Sequence, residues 1–175
     1  RKVDVVIILT GDKDALQLIE DNRVVVEMPK KGLNDPVIYT AEEVKNTYGI
    51  EPRQIVDFKG FSGDASDNIP GIPGVGPKTA LKILEKYETL ENAYLKMNKN
   101  DVVEKKFFLY KNQAFLSKQL ATIRRDVPVS AELENLEYHP PSQKEIITHL
   151  TNLGFESIIK RIIKENKGFL QDHLL

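Results

Sequence analysis

The 175 residues suit one ordinary domain or two small ones, and 41% apolar with 29% charged residues is the balance of a globular chain rather than a disordered one. A formal net charge of −1 means that any nucleic-acid-binding surface must be local. The absence of cysteine excludes disulfides, cysteine zinc sites and a thiol nucleophile, and fits a reducing cytoplasm. No apolar run approaches the ~20 residues of a membrane span, and Val5 to Leu9 is too short and wrongly flanked for a signal peptide.

Val5 to Leu9 predicts a strand buried on both faces, as in a parallel sheet covered by helices. A buried strand at the first residues, with no Met before it, reads as a chain cut from something longer; the alternative is a strand that opens the domain with its Met removed. Thr10-Gly11-Asp12-Lys13-Asp14 follows, then a short helix from Ala15 to Ile19. Ligands of open α/β sheets gather outside the carboxyl ends of the strands, where Asp12 and Asp14 stand. Alternate residues of an extended segment point the same way, so both carboxylates could face one ligand. Taken alone, the pair reads more readily as caps for the helix.

Arg23 to Met28 predicts a second strand, Pro29 to Pro36 a polar turn and Val37 to Tyr39 a returning strand. Thr40 with Glu43 forms the pattern of a capping box for a helix from Ala41 to Tyr48, stopped by Gly49. Arg53 to Lys59 predicts a short helix with Ile55, Val56 and Phe58 as its apolar residues.

Asp64 and Asp67 then stand three apart in a Gly/Ser/Asn-rich turn. In a helical turn that spacing puts both on one side, where they repel unless a cation neutralises them. Hard carboxylate oxygens suit Mg²⁺ or Mn²⁺. Ordinary loop chemistry accounts for the same residues as well.

Gly74-Val75-Gly76 allows a tight backbone turn, and Pro77 is well placed at the first position of the helix that follows. Amides at that helix start would bind a phosphate, with Lys78 and Thr79 adding contacts. The segment is not a P-loop, since Pro77 separates Gly76 from Lys78. A compact helix–helix connection would use the same turn.

Leu90 to Met97 predicts a core helix. Lys99 to Arg125 is basic, with seven lysines and arginines against Asp101 and Glu104 and with aromatic residues interleaved. It is either a solvated face or a phosphate track that includes Lys105 and Lys106. Asp126 to Val129 breaks the helices, and Ala131 to Leu136 reads as an acidic loop or short turn. Ser142 caps a helix from Lys144 to Leu150, Ser157 to Ile163 forms the last helix, and Gly168 to Leu175 reads as a frayed tail or a linker.

Three separated motifs, TGDKD (10–14), SGDASDNIPGIPGVGPKTALKIL (62–84) and LSKQLATIRRDV (116–127), resemble in order and spacing the 5′-nuclease domain of bacterial DNA polymerase I and the phage and flap endonucleases of the same kind. The likeness runs from Val5 to about Lys160. It implies an α/β fold: the C-terminal part of a PIN-like core over 1–57, then a mainly helical region over 58–175. That region would carry a helix–three-turn–helix (helix–hairpin–helix) DNA-binding motif at about 62–86. It implies divalent-metal-dependent cleavage of phosphodiesters near 5′ ends or flaps. Asp12, Asp14, Asp64 and Asp67 match metal carboxylates of the family. Gly74, Val75, Gly76, Lys78 and Thr79 match its DNA-backbone grip, whose carbonyls in relatives can also hold K⁺. The implied partners are duplex DNA and a C-terminal polymerase domain, with no membrane, in a bacterial cytoplasm.

The sequence departs from the pattern in lacking the family's N-terminal part, with its opening aspartate strand, basic helical arch and acidic cluster for the other metal. A fragment that grips duplex DNA without efficient cutting is therefore the competing expectation. A helical scaffold for protein contacts is the third.

Overall fold

The computed structural model describes residues 3–21, 23–30, 32–99, 101 and 104–172. The chain divides into two compact units, Arg1–Asp126 and Val127–Leu175. The division expected at 57/58 lies within a helix, α2 (Ile55–Ser62). Asp57 of that helix also binds Leu90 and Lys118 downstream, and the sheet and the helices that carry them belong to the same compact unit.

A three-stranded sheet opens the first unit. β1 (Val6–Leu9) runs parallel to β2 (Val24–Lys30), and β2 is antiparallel to β3 (Gly32–Tyr39), in the order β1-β2-β3. The central strand carries the buried residues Val25, Val26 and Met28. β1 does not have the two buried faces expected of it. Val6, Ile7 and Leu9 are exposed, Leu9 by 67%, and only Ile8 packs against the core. A strand with one neighbour and one covered face buries alternate residues at most. The expected turn over 29–36 is instead mostly strand, with β2 reaching Lys30 and β3 starting at Gly32; residue 31 lies outside the described residues.

The β1–β2 crossover is a 3₁₀ segment, Lys13–Leu18, which buries Ala15 and Leu16. After the sheet, α1 (Ala41–Tyr48) has the expected bounds. Thr40 accepts from the Glu43 N–H at its start, and Gly49 ends it with φ +74°. A 3₁₀ turn, Pro52–Gln54, leads into α2. α3 (Pro77–Tyr87) and α4 (Leu90–Lys96) follow, then α5 (Lys105–Leu109) and α6 (Lys111–Ala121). Phe61, Leu16, Ile72, Leu84 and Leu90 are fully buried where these elements meet, and Phe61 packs edge-on against Phe107.

Two polar anchors fix the arrangement around α2. Buried Asp57 accepts from the Leu90 N–H at 2.9 Å and from Lys118 Nζ at 2.6 Å, tying α2 to α4 and α6. The end of α6 is stapled to the crossover: Gln17 Nε2 donates to the Ala121 carbonyl at 2.9 Å, and the Ile123 N–H donates to Gln17 Oε1 at 2.9 Å.

In the second unit, α7 (Gln143–Asn152) starts at a full capping box between Ser142 and Glu145, and α8 (Glu156–Asp172) follows. The helix therefore continues through most of the expected tail, whose residues 173–175 lie outside the described residues. Among the described residues no helix is long and apolar enough to cross a membrane.

Candidate metal centre and nucleic-acid interface

Gly63 ends α2 with φ +71°, and the chain turns back on itself at once. The Asp64 and Ile69 backbones exchange two hydrogen bonds of 2.8 Å, closing a tight loop over 65–68. Asn68 takes a left-handed conformation (φ 56°) to complete it. Glycine is required at both ends of this crossing. A Cβ on Gly63 would lie 2.5 Å from the Ile69 carbonyl oxygen, and one on Gly71 would lie 2.1 Å from the Gly63 nitrogen. The loop that carries Asp64 and Asp67 is thus locked to the segment leading to the Gly-Val-Gly turn.

Three of the four expected carboxylates come together. Asp14, Asp64 and Asp67 each offer an oxygen, and these oxygens all lie within 4.8 Å of one another. They line a cleft of about 890 Å³ that also borders Gly11, Asp12 and, at the start of α3, Pro77. Asp12 is not part of the cluster. It caps the 3₁₀ segment, its Oδ1 accepting from the Asp14 N–H at 2.9 Å, and so orients Asp14. Asp12 thus takes the capping position, while Asp14 lies in the carboxylate cluster.

The residue that the sequence reading missed is Lys59. It is buried, and its Nζ forms an ion pair with Asp14 Oδ1, lies 2.6 Å from Asp64 Oδ2 and 3.9 Å from Asp67 Oδ2. A signal was available. Lys59 lies one helical turn after Ile55, on the inward side of a mostly apolar helix. A lysine is almost never buried there without a carboxylate to meet. Asp64 is engaged on both oxygens, since Oδ1 accepts from Ser66 N at 2.9 Å and from Ser66 Oγ at 2.5 Å. The hydrogen bonds from Lys59 and then Ser66 hold its carboxyl down at about 2.

Among the described residues the donor set fits a hard divalent ion: three carboxylates, no nitrogen or sulfur ligand, and one ammonium against three formal negative charges.

At the turn, Gly74 has φ +73° and Gly76 caps α3. Lys78 and Thr79 are exposed in the first turn of that helix, as a phosphate grip needs. Val75 differs: its side chain is in the core, so only its backbone is available to a ligand. The Gly76 carbonyl accepts from both Thr79 N and Ala80 N at 3.0 Å, which takes up amides of the helix start. Lys106 arrives from α5; a Cβ on Gly74 would meet its Nζ at 2.7 Å. Lys105 is exposed beside it.

The rest of the basic stretch is not a continuous track. Lys118 pairs with Asp57 and Glu91, Arg124 with Asp126 and Arg125 with Glu20, while Lys111 lies over the Tyr94 and Phe115 rings. Residues 100, 102 and 103 of that stretch lie outside the described residues.

The family model described as 5′-3′ exonuclease, C-terminal SAM fold, matches residues 50–144, which contain Asp64, Asp67, the turn and Lys106. The chain belongs to the 5′-3′ exonuclease family. It is 38% identical over 170 residues to DNA polymerase I of Bacillus subtilis (strain 168), covering 96% of this chain and 19% of that protein. It is 42% identical over 160 residues to DNA polymerase I of Caldicellulosiruptor bescii, covering 90% and 19%. The chain therefore spans about a fifth of the curated relatives it matches. Among solved structures, T5 5′-exonuclease with divalent metal ions (zinc) bound matches with a TM-score of 0.57 at 19% identity, over 67% of this chain and 43% of that one. A T5 D15 flap endonuclease variant in a complex with DNA and metal ions matches with a TM-score of 0.58 at 17% identity, over 67% and 43%. At these identities the structural likeness establishes the fold, a mixed α/β arrangement shared with the 5′-nucleases.

Proposed function

We propose that this chain forms part of a divalent-metal-dependent 5′-3′ exonuclease or flap endonuclease acting near 5′ ends or flaps of DNA, within a protein of the DNA polymerase I type. The observation that carries the reading is the convergence of Asp14, Asp64 and Asp67 in a cleft bordered by the start of α3. The family membership and the DNA and metal ions bound by the T5 neighbours agree with it.

Asp14, Asp64 and Asp67 would hold the ion, of the Mg²⁺ or Mn²⁺ class. When bound, it supplies Lewis-acid polarisation of a phosphate oxygen or activation of water. Asp12 fixes Asp14 through its backbone, and Ser66 fixes Asp64. The segment from α2 to α3 serves as a helix–hairpin–helix grip on one strand. Gly74 and Gly76 let the phosphate backbone approach, and Lys78, Thr79, Lys105 and Lys106 contact it. The locked Gly63–Gly71 crossing keeps grip and carboxylates in register, and so selects which phosphate reaches the cleft.

The test is Mg²⁺-dependent cleavage of a 5′-flap duplex by the whole protein. Asp64→Asn is expected to lower the rate on the order of 10³-fold, the scale of losing one charge-stabilising group in a transition state. Equal rates would remove the metal role from this cluster. The fragment that binds without cutting remains a second reading, because the chain spans about a fifth of its relatives. Duplex binding by this chain with no cleavage in Mg²⁺ would favour it.

A further inference from the structure

We infer that Lys59 is a built-in counter-ion that holds the carboxylates in place and competes with the metal for them, so that it sets the metal affinity of the site. The inference rests on the metal-site reading above and adds a residue to it. Three facts lead to it. Lys59 is 9% exposed, so its ammonium is held inside rather than reaching bulk water. Its Nζ contacts carboxylates from two separate segments, Asp14 of the crossover and Asp64 and Asp67 of the loop after α2. The second oxygen of Asp64 is already taken by Ser66, so the oxygen facing Lys59 is the one left for another cation.

A buried ammonium stays only where carboxylates compensate it, and here those carboxylates are the proposed ligands. A dication on the same oxygens would meet a like charge in a low-dielectric cleft, and the two cations would weaken each other's binding. Lys59 is thus a positioning residue with two effects. It draws three mutually repelling carboxylates together, and it keeps the metal exchangeable.

The test titrates the chain with Mn²⁺ and follows free Mn²⁺ by electron paramagnetic resonance, with Asp64→Asn giving the background from other sites. Lys59→Met, neutral and of similar length, is expected to bind Mn²⁺ about tenfold tighter than the parent, within the usual range for coupled sites. Lys59→Arg restores the weaker binding, a rescue that a packing role alone does not give. Melting in chelator is expected to fall for Lys59→Met, and Mn²⁺ should raise its Tm more than it raises the parent's. Should Lys59→Met not fold, Lys59→Met with Asp67→Asn, which keeps the formal charge, is compared with Asp67→Asn alone. Asp64-dependent Mn²⁺ binding that is equal or weaker without Lys59 overturns the inference and leaves the metal site standing. Mn²⁺ binding unaffected by Asp64→Asn overturns both.

Discussion

The buried hydroxyl of Ser117 accepts a hydrogen bond from the backbone N–H of Gly71 at 3.0 Å. Four residues earlier on α6, Gln113 Nε2 donates to the carbonyl of the same glycine at 2.6 Å. One helix thus satisfies both backbone groups of a residue that lies between the carboxylate loop and the Gly-Val-Gly turn. Ser117→Ala leaves that buried N–H without its partner. The expected loss is about 1–3 kcal/mol of stability, read from urea unfolding at unchanged slope.

Gly71→Ala is expected to be worse. The left-handed conformation at φ +58° penalises any side chain, and the new Cβ would run into the Gly63 backbone. A loss of at least about 3 kcal/mol is expected, with backbone atoms on both sides unable to yield. Gly76→Ala is the control, because nothing lies within 4 Å of a Cβ there. Equal stability losses at the two glycines would contradict the crossing.

Asp57→Ala removes the acceptor of the Leu90 N–H and one of two carboxylates around Lys118. Burial pulls the Lys118 ammonium down, but Asp57 and Glu91 overcome it and hold its pKa above the usual value. Breaking a buried pair on one side costs about 3–5 kcal/mol, and the loss should appear in denaturant unfolding. Glu91→Ala is expected to cost much less, since Glu91 is half exposed.

Acid should act on the carboxylate cluster through Asp64. Its carboxyl is held at about 2 against 3.8 ordinarily, so the folded state keeps it ionised where the unfolded chain has begun to protonate it. The stabilisation is complete above about pH 4 and is lost as pH falls through about 2. Unfolding of the parent between pH 4 and 2 should therefore steepen relative to Asp64→Asn. Parallel pH profiles for the two proteins would rule out this contribution.

Binding of a flap duplex should separate the lysines of the basic stretch. Lys106→Ala is expected to reduce the slope of log affinity against log salt by about one, the signature of one lost phosphate contact. Lys118→Met should leave that slope unchanged, because Lys118 is committed to Asp57 and Glu91. A slope that falls equally in both variants would restore the continuous track.

The elements with local punctuation were legible from sequence. Thr40 and Gly49 bound α1, and Pro77 opens α3, because caps and helix stops act within one turn. Asp64, Asp67 and the Gly-x-Gly turn stood out for the same reason, being short-range patterns of residue type. An apolar run such as VVIIL does not record how many neighbours cover it, and within this chain β1 has one.

By itself, then, the sequence determined the helix ends, the turn that needs glycine and the set of carboxylates offered for a cation. Only the tertiary structure decided which of them meet. It brought Asp14 to Asp64 and Asp67, turned Asp12 to capping, spent Lys118 and Arg125 on internal pairs, and carried Lys106 to the Gly74 turn. It also placed Lys59 against Asp14, 45 residues away. The physical reason is range. Capping and turn preferences act between neighbours along the chain, whereas the partner of a buried charge is chosen by the packing of segments far apart in it.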